Sequence, residues 1–402
     1  MTDTPIELPW KARTARRTPL DPPEIFATLR SERPLRPMTF ADGHQGWLAT
    51  GYDVVRTILA DRRFSIRREV AHQPVTMPNA AAQAMFTAPP PPGMFVRMDP
   101  PEHTRYRKLL VGEFTVRRMR QLETRITEVT RNCLDAMEQA GPPVDVVQAL
   151  ALPLPALLIC ELLGIPEPQL PACRQAMQTA LDTQSTPGQI QQAYTTLLGI
   201  FPPLIASKRE NPTGDVFSGL VNNGDLTDEE LNSIGLLLFA AGSETTASML
   251  GFGAFVLLQH SDQLQALLRD SALIDNTIEE LLRYLAGPSG MLRTAMEDVE
   301  IGGELIRHGQ TVELLVGAAN HDPARFERPS EFDITRPAQG HLSFGHGIHQ
   351  CLGQQLARVE LRIAFPALFE RFPGLRLAVP AHEIPMKDDS AFFGVKRLPV
   401  EW

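Results

Sequence analysis

The stretch that decides the reading is Phe344-Gly345-His346-Gly347-Ile348-His349-Gln350-Cys351-Leu352-Gly353. One cysteine closes a glycine-punctuated loop. From Leu352 to Phe372 the apolar residues Leu352, Leu356, Val359, Ile363 and Leu368 recur at helical spacing. Cys351 is therefore expected at or just before a helix N-terminus, where free N–H groups and the positive end of the helix dipole favour an anion. A cysteine so placed should be a thiolate. Gly345 and Gly347 let the backbone turn without a Cβ penalty, and Gly353 would let a flat group approach the helix. A lone thiolate of this kind is a strong ligand for haem iron. Two other readings stand beside it. One is a buried cysteine at a helix start, which behaves as a small hydrophobe. The other is a zinc site of His346, His349 and Cys351, which lacks the paired ligands at short spacing that structural zinc sites gather.

Working outward, the chain has 402 residues, 43% hydrophobic and 21% charged, which is ordinary globular composition with length to bury a large core. No Gly/Ser linker, charge block or repeat divides it, so residues 1–402 are expected to form one domain with a polar N-terminal arm over 1–21. Net charge −9 argues against a nucleic-acid partner. Cys133, Cys160, Cys173 and Cys351 are scattered without framework spacing, which fits a reducing cytoplasm. Met1 to Leu20 is polar with no apolar run behind it, so no signal peptide is expected. Ala149 to Ile165 is broken by Pro153, Pro155 and Glu161. Ile234 to Leu258 is long enough to span a bilayer but carries Ser243, Glu244, Thr245, Thr246 and Ser248 at its middle. No membrane span is expected.

Leu35 to Thr50 and Val299 to Val316 alternate like strands with glycine turns. Residues 65 to 98 read as a long loop rich in Met, Ala and Pro, and long loops inside compact domains are usually functional or mobile. From about Glu102 to Leu285 the pattern is mostly helical. The best-defined helix starts at Leu226-Thr227-Asp228-Glu229-Glu230-Leu231, where Thr227 and Glu230 form a capping box. It runs to about His260, roughly 50 Å at 1.5 Å per residue, and must cross the middle of the domain. At its centre stands Ala241-Gly242-Ser243-Glu244-Thr245-Thr246, locally unfavourable in an apolar helix. The Thr245 hydroxyl can bond a carbonyl one turn back and loosen the ladder. The plain alternative is a threonine that only satisfies its own helix.

The cysteine run resembles the ligand loop of the cytochrome P-450 superfamily, Phe-Gly-x-Gly-x-His/Arg-x-Cys-x-Gly, with Phe344, Gly353 and every other fixed position matched. The central-helix run resembles the same superfamily's oxygen-activating stretch, Ala/Gly-Gly-x-Asp/Glu-Thr-Thr/Ser. Glu280-Leu281-Leu282-Arg283 resembles its Glu-x-x-Arg, and Arg336 stands where the later arginine partner would. The likeness runs from about Pro22 to Trp402. Some positions depart from the usual pattern: Tyr106 replaces a leucine, read as a packing change, and His321 replaces an arginine.

The resemblance implies a mainly α fold with a small β region and haem b (iron protoporphyrin IX) between the long central helix and the cysteine loop. It makes Cys351 the iron ligand and Glu244 and Thr245 the acid–alcohol pair that relays protons during oxygen activation. His103, Arg107, Arg293 and His349 match the clamp on the haem propionates, while Glu280, Arg283 and Arg336 brace the loop. The implied activity is a monooxygenase that inserts one oxygen atom from O2 into a C–H bond or alkene of an apolar small molecule, in specialised-metabolite biosynthesis. The resemblance implies ferredoxin and ferredoxin reductase as donors, and no flavin or nicotinamide fingerprint is visible in the sequence. Met77, Met85, Phe86 and Met94, Leu238 and Ala241, Ser289, Gly290 and Met291, and Phe392 and Phe393 are candidates to line the substrate pocket. A peroxide-driven enzyme and a non-enzymatic haem-thiolate sensor are the competing readings.

Overall fold

The computed structural model describes residues 5–76, 83, 86–181, 185–286, 290–387 and 393–402. Two compact units emerge. One comprises residues 1–90, 96–104 and 275–352, the other residues 91–95, 105–274 and 353–402.

The first unit is built on a five-stranded sheet. The alternating stretch at 35–50 forms the antiparallel pair Leu35–Thr39 and Gln45–Ala49, with Leu35 opposite Ala49. Gln45–Ala49 then pairs in parallel with Thr311–Leu314, which pairs antiparallel with Met291–Ala295 so that Arg293 faces Val312. Phe64–Ser65 closes the far edge. Val299–Ile301 and Glu304–Ile306 form a separate hairpin over the expected glycine turn. The helix Tyr52–Ala60 covers the sheet core through Tyr52, Val55, Ile58 and Leu59. The N-terminal arm is not merely polar. Arg13 is 1% exposed, donates from Nε to Leu8 O at 2.8 Å, and ion-pairs through Nη1 with the equally buried Glu313 of Thr311–Leu314.

The second unit is helical. Its central helix, Asp228–Gln259, starts on the expected capping box: Thr227 Oγ1 accepts from Glu230 N at 3.2 Å and Glu230 Oε2 accepts from Thr227 N at 2.7 Å. Tyr106, expected only to change packing, donates its hydroxyl to Glu230 Oε1 at 2.7 Å, and Arg105 pairs with the same carboxylate. By length and composition the central helix could cross a membrane, but over half of its most apolar window is buried in the protein. Its glycines allow close packing. A Cβ at Gly242 would fall 2.8 Å from the Ile159 side chain, in the neighbouring helix Pro153–Leu163. The helix after the cysteine is Gln354–Arg371, opening three residues after Cys351 and two later than the periodicity suggests, because Gly353 is its N-cap. It packs against Val116–Gln121 and Glu123–Ala140. A small three-stranded sheet joins Val144–Asp145, Pro399–Glu401 and Arg376–Leu377.

Candidate active site

The cysteine loop is closed by its own backbone, with Cys351 N donating to Phe344 O at 2.8 Å. Gly345 and Gly347 sit at φ +69° and +76°, and a Cβ at Gly347 would also lie 2.6 Å from Leu59 O. Both turn and close approach therefore demand glycine at 347. Cys351 is exposed, whereas Cys133, Cys160 and Cys173 are buried. Burial pushes the Cys133 thiol up to about 11 and the Cys160 thiol up to about 12, and raises Cys173. Those three are buried thiols, and Cys351 is the exposed one of the four. Around Gly353 an added Cβ would meet nothing within 4 Å, so a flat group has room there.

The loop is held from behind by a buried charge network. Glu280 takes two bonds from Arg283, Nε at 2.7 Å and Nη2 at 2.8 Å, and one from Arg336 Nε at 3.1 Å. Glu280 and Arg283 are fully buried and Arg336 nearly so. Arg283 Nη1 also donates to Asn320 O and Pro329 O, both at 2.9 Å. Asn320 in turn bonds Leu342 N at 2.7 Å and Ser343 Oγ at 2.8 Å, immediately before Phe344. This is the brace expected from Glu-x-x-Arg. Its remaining acceptors and donors are satisfied, which a buried pair needs if it is to hold geometry rather than cost stability.

Of the four basic residues, the structure brings His103 and His349 into contact. His103 is buried, with its ring centroid 4.2 Å from that of His349. Arg107 follows one turn later in the helix Glu102–Leu110 and is half-buried. Arg293 is 4% exposed and donates from Nη1 to Leu292 O at 2.8 Å. Among the described residues no carboxylate lies within ion-pair distance of it. Burial brings its pKa down to about 10, with the charge of Asp99 only partly offsetting that. A buried guanidinium without a counter-anion calls for one, and a pair of propionates is such a partner. An exposed cysteine in a braced loop, a histidine pair and a buried arginine thus fit a haem.

On the central helix Ala241 and Thr245 are exposed one turn apart, while Leu238, Phe239, Ser243, Thr246 and Ala247 around them are buried. Thr245 Oγ1 donates to Ala241 O at 2.8 Å and Ser243 Oγ to Phe239 O at 2.9 Å. The helix runs unbroken through both, so the hydroxyls decorate the ladder without opening it. Glu244 has a partner that sequence reasoning missed: Lys387 Nζ donates to its Oε1 at 2.8 Å. The two lie 143 residues apart, and neither carries a local signal of the other.

Of the pocket candidates, Met77, Met85, Ser289 and Phe392 lie outside the described residues. Leu238 is buried in the helical unit. Phe393 packs edge-on against Phe252 at 5.5 Å, and half-buried Met291 leans on the sheet core. Phe86 sits under the Arg68 guanidinium at 5.0 Å.

A model of the Cytochrome P450 family matches residues 208–402. Cytochrome P450 105C1 of a Streptomyces species is 46% identical over 400 residues, spanning 97% of each chain. Pentalenic acid synthase of Streptomyces avermitilis is 39% identical over 99% of each, and the cytochrome P450 monooxygenase PikC of Streptomyces venezuelae 40% over 95% of this chain and 91% of that one. Among solved structures, CYP105P1 in complex with filipin I superposes with a TM-score of 0.88 at 40% identity, covering 97% of this chain and 98% of that one. Likeness of this depth along nearly the whole length means that the chain belongs to the cytochrome P450 family.

Proposed function

We propose that this haem-dependent monooxygenase works in bacterial specialised metabolism, in the cytoplasm, on an apolar small molecule, with residues 1–402 acting as one P450 domain. When bound, a thiolate-ligated haem supplies dioxygen activation. The net reaction would place one oxygen atom of O2 in a C–H bond or alkene and release the other as water, with two electrons and two protons supplied. The chain's own residues do the rest. Cys351 gives the sulfur, and His103, Arg107, Arg293 and His349 hold the propionates. Glu244, largely withdrawn from water, and Thr245, on the exposed strip of the central helix, move protons. Leu238, Ala241 and Phe393 are the residues of the helical unit that would meet the substrate. Relatives named as pentalenic acid synthase and PikC support a tailoring role.

We assign the electron donor as a ferredoxin, docking where the helices Val116–Gln121 and Gln354–Arg371 pack together, next along the chain from Glu102–Leu110. Lys108 and Arg117 are exposed there and Arg362 half-exposed, beside the exposed apolar side chains of Val111 and Val116. Arg105 and Arg118, on two of the same helices, have carboxylate partners in Glu230 and Glu113.

The observation that carries this reading is Cys351, the exposed cysteine in a braced loop, set against three buried and protonated ones. The test is the reduced carbonyl complex, whose Soret band shifts to the red under thiolate ligation. Cys351→Ala should abolish the shifted band, and Cys133→Ala, Cys160→Ala and Cys173→Ala should keep it. A thiolate spectrum in Cys351→Ala would sink the assignment.

A further inference from the structure

Glu244 is held from outside its own helix. The Lys387 ammonium that bonds Oε1 at 2.8 Å also reaches Ser248 Oγ at 3.4 Å, one turn further on. Both partners are largely withdrawn from water, at 14% and 19% exposed. A charge-assisted bond in such surroundings is strong and directional. Lys387 itself sits on a hairpin. Met386 bridges Val395 antiparallel, Lys387 N donates to Gly394 O at 2.7 Å, and Lys396 N donates to Pro385 O at 2.7 Å. The hairpin is pressed on the central helix. A Cβ at Gly251 would lie 3.2 Å from Val395 Cγ2, and one at Gly394 would lie 3.8 Å from Ser248 O. Phe393 meets Phe252 edge-on, as above. Glu244 also borders a small cavity of about 20 Å³, shared with Ser243, Arg174 and Gln178. That is room for about one water.

A glutamate has three torsions, and proton transfer works only when the carboxylate stays within hydrogen-bond reach of its target or one water away. We propose that Lys387 is a positioning residue for the reaction: it holds the Glu244 carboxylate in one orientation between the hairpin and the water-sized cavity. The placement of the paired segments 385–387 and 394–396 is thereby transmitted to the proton relay. This rests on reading Glu244 and Thr245 as the proton-handling pair. Among the described residues lining the cavity, Arg174 is the other charged group beside Glu244.

The test compares Lys387→Met, Lys387→Arg, Glu244→Gln and Thr245→Ala as haem-loaded proteins. Lys387→Met should bind substrate within about twofold of the parent by the haem spectral shift. Its kcat and its product per NAD(P)H should fall about tenfold, less than the ~10²–10⁴ that a general acid–base group supplies, because Glu244 itself remains. The solvent deuterium isotope effect on turnover should rise. Lys387→Arg should restore most of the coupling, since it keeps the charge and the donor. A double-mutant cycle of Lys387→Met and Glu244→Gln, read by thermal unfolding, should show the two residues coupled. If the unfolding cycle shows the pair but Lys387→Met keeps kcat, coupling and isotope effect, the pair is structural and the proposal fails. If Lys387→Met loses haem, Lys387→Gln takes its place with the same criteria. Thr245→Ala separates the two readings. Unchanged coupling there overturns the proton-pair reading itself. Uncoupling in Thr245→Ala without uncoupling in the Lys387 variants overturns only the role of Lys387.

Discussion

Arg293 shows how much one side chain can report. A guanidinium that is 4% exposed, with no carboxylate in ion-pair reach among the described residues, is an expensive thing for a fold to carry. The expense makes sense if an acidic ligand neutralises it. Each charge-assisted bond to an ionised acceptor is worth ~1.5–3 kcal/mol. Arg107→Ala with Arg293→Ala should then weaken haem binding by roughly 10²–10⁴-fold. Haem transfer to an apo-globin acceptor measures this, and full retention in the double variant would reject both residues as propionate partners. Cys351 was legible from its neighbours in sequence, since its turn is set by Gly345 and Gly347 within the same ten residues. His103 and Arg293 were legible only through likeness to a family, because nothing local distinguishes a buried cation from a solvated one.

At the scale of elements, the segment Val316–Asn320 ends at His321, whose ring is buried and donates from Nδ1 to Gly317 O at 2.9 Å. Burial brings its pKa from 6.5 down to about 3, helped by the positive charge of Arg283. The unfolded chain takes up a proton below its own value of 6.5 while the folded chain stays neutral. Stability from this residue is therefore intact above pH 6.5 and is lost as pH falls from there toward about 3. The loss is ~1.4 kcal/mol per pH unit. His321→Gln should flatten the decline of Tm between about pH 6.5 and 4.5, the window that linkage assigns to this proton. An unchanged slope would place the acid sensitivity elsewhere. The central helix was legible at its start, where Thr227 and Glu230 lie three residues apart and signal each other. It was not legible at Glu244, because the lysine that fixes it arrives from a hairpin near the other end of the chain. The helix Tyr52–Ala60 went unremarked although Tyr52, Val55, Ile58 and Leu59 fall at helical spacing. The parallel pairing of Gln45–Ala49 with Thr311–Leu314 had no local signal at all, since strand partners are chosen by the whole sheet.

For the molecule as a whole, net charge −9 sets the terms of any encounter with an acidic carrier. A local basic patch must overcome general repulsion, and salt should weaken what it achieves. Arg362→Glu should slow ferredoxin-supported turnover about tenfold at low ionic strength, with the gap to the parent closing as salt rises. Peroxide-supported turnover, which needs no carrier, should be unchanged. Equal losses in both assays would mean damage to the haem site and a docking face elsewhere.

The buried pair of Arg13 and Glu313 adds a matter of timing. The two residues are 300 positions apart. At ~5–20 residues per second on a ribosome, Arg13 emerges roughly 15–60 s before its carboxylate exists. Through that interval the arm can lean only on early segments, as Ile6 does on Met38, and Thr311–Leu314 cannot yet join the sheet. The guanidinium that the finished fold buries must wait in water. A nascent chain arrested short of residue 313 would hold the arm by those early contacts alone, and only release of the later strand would lock it.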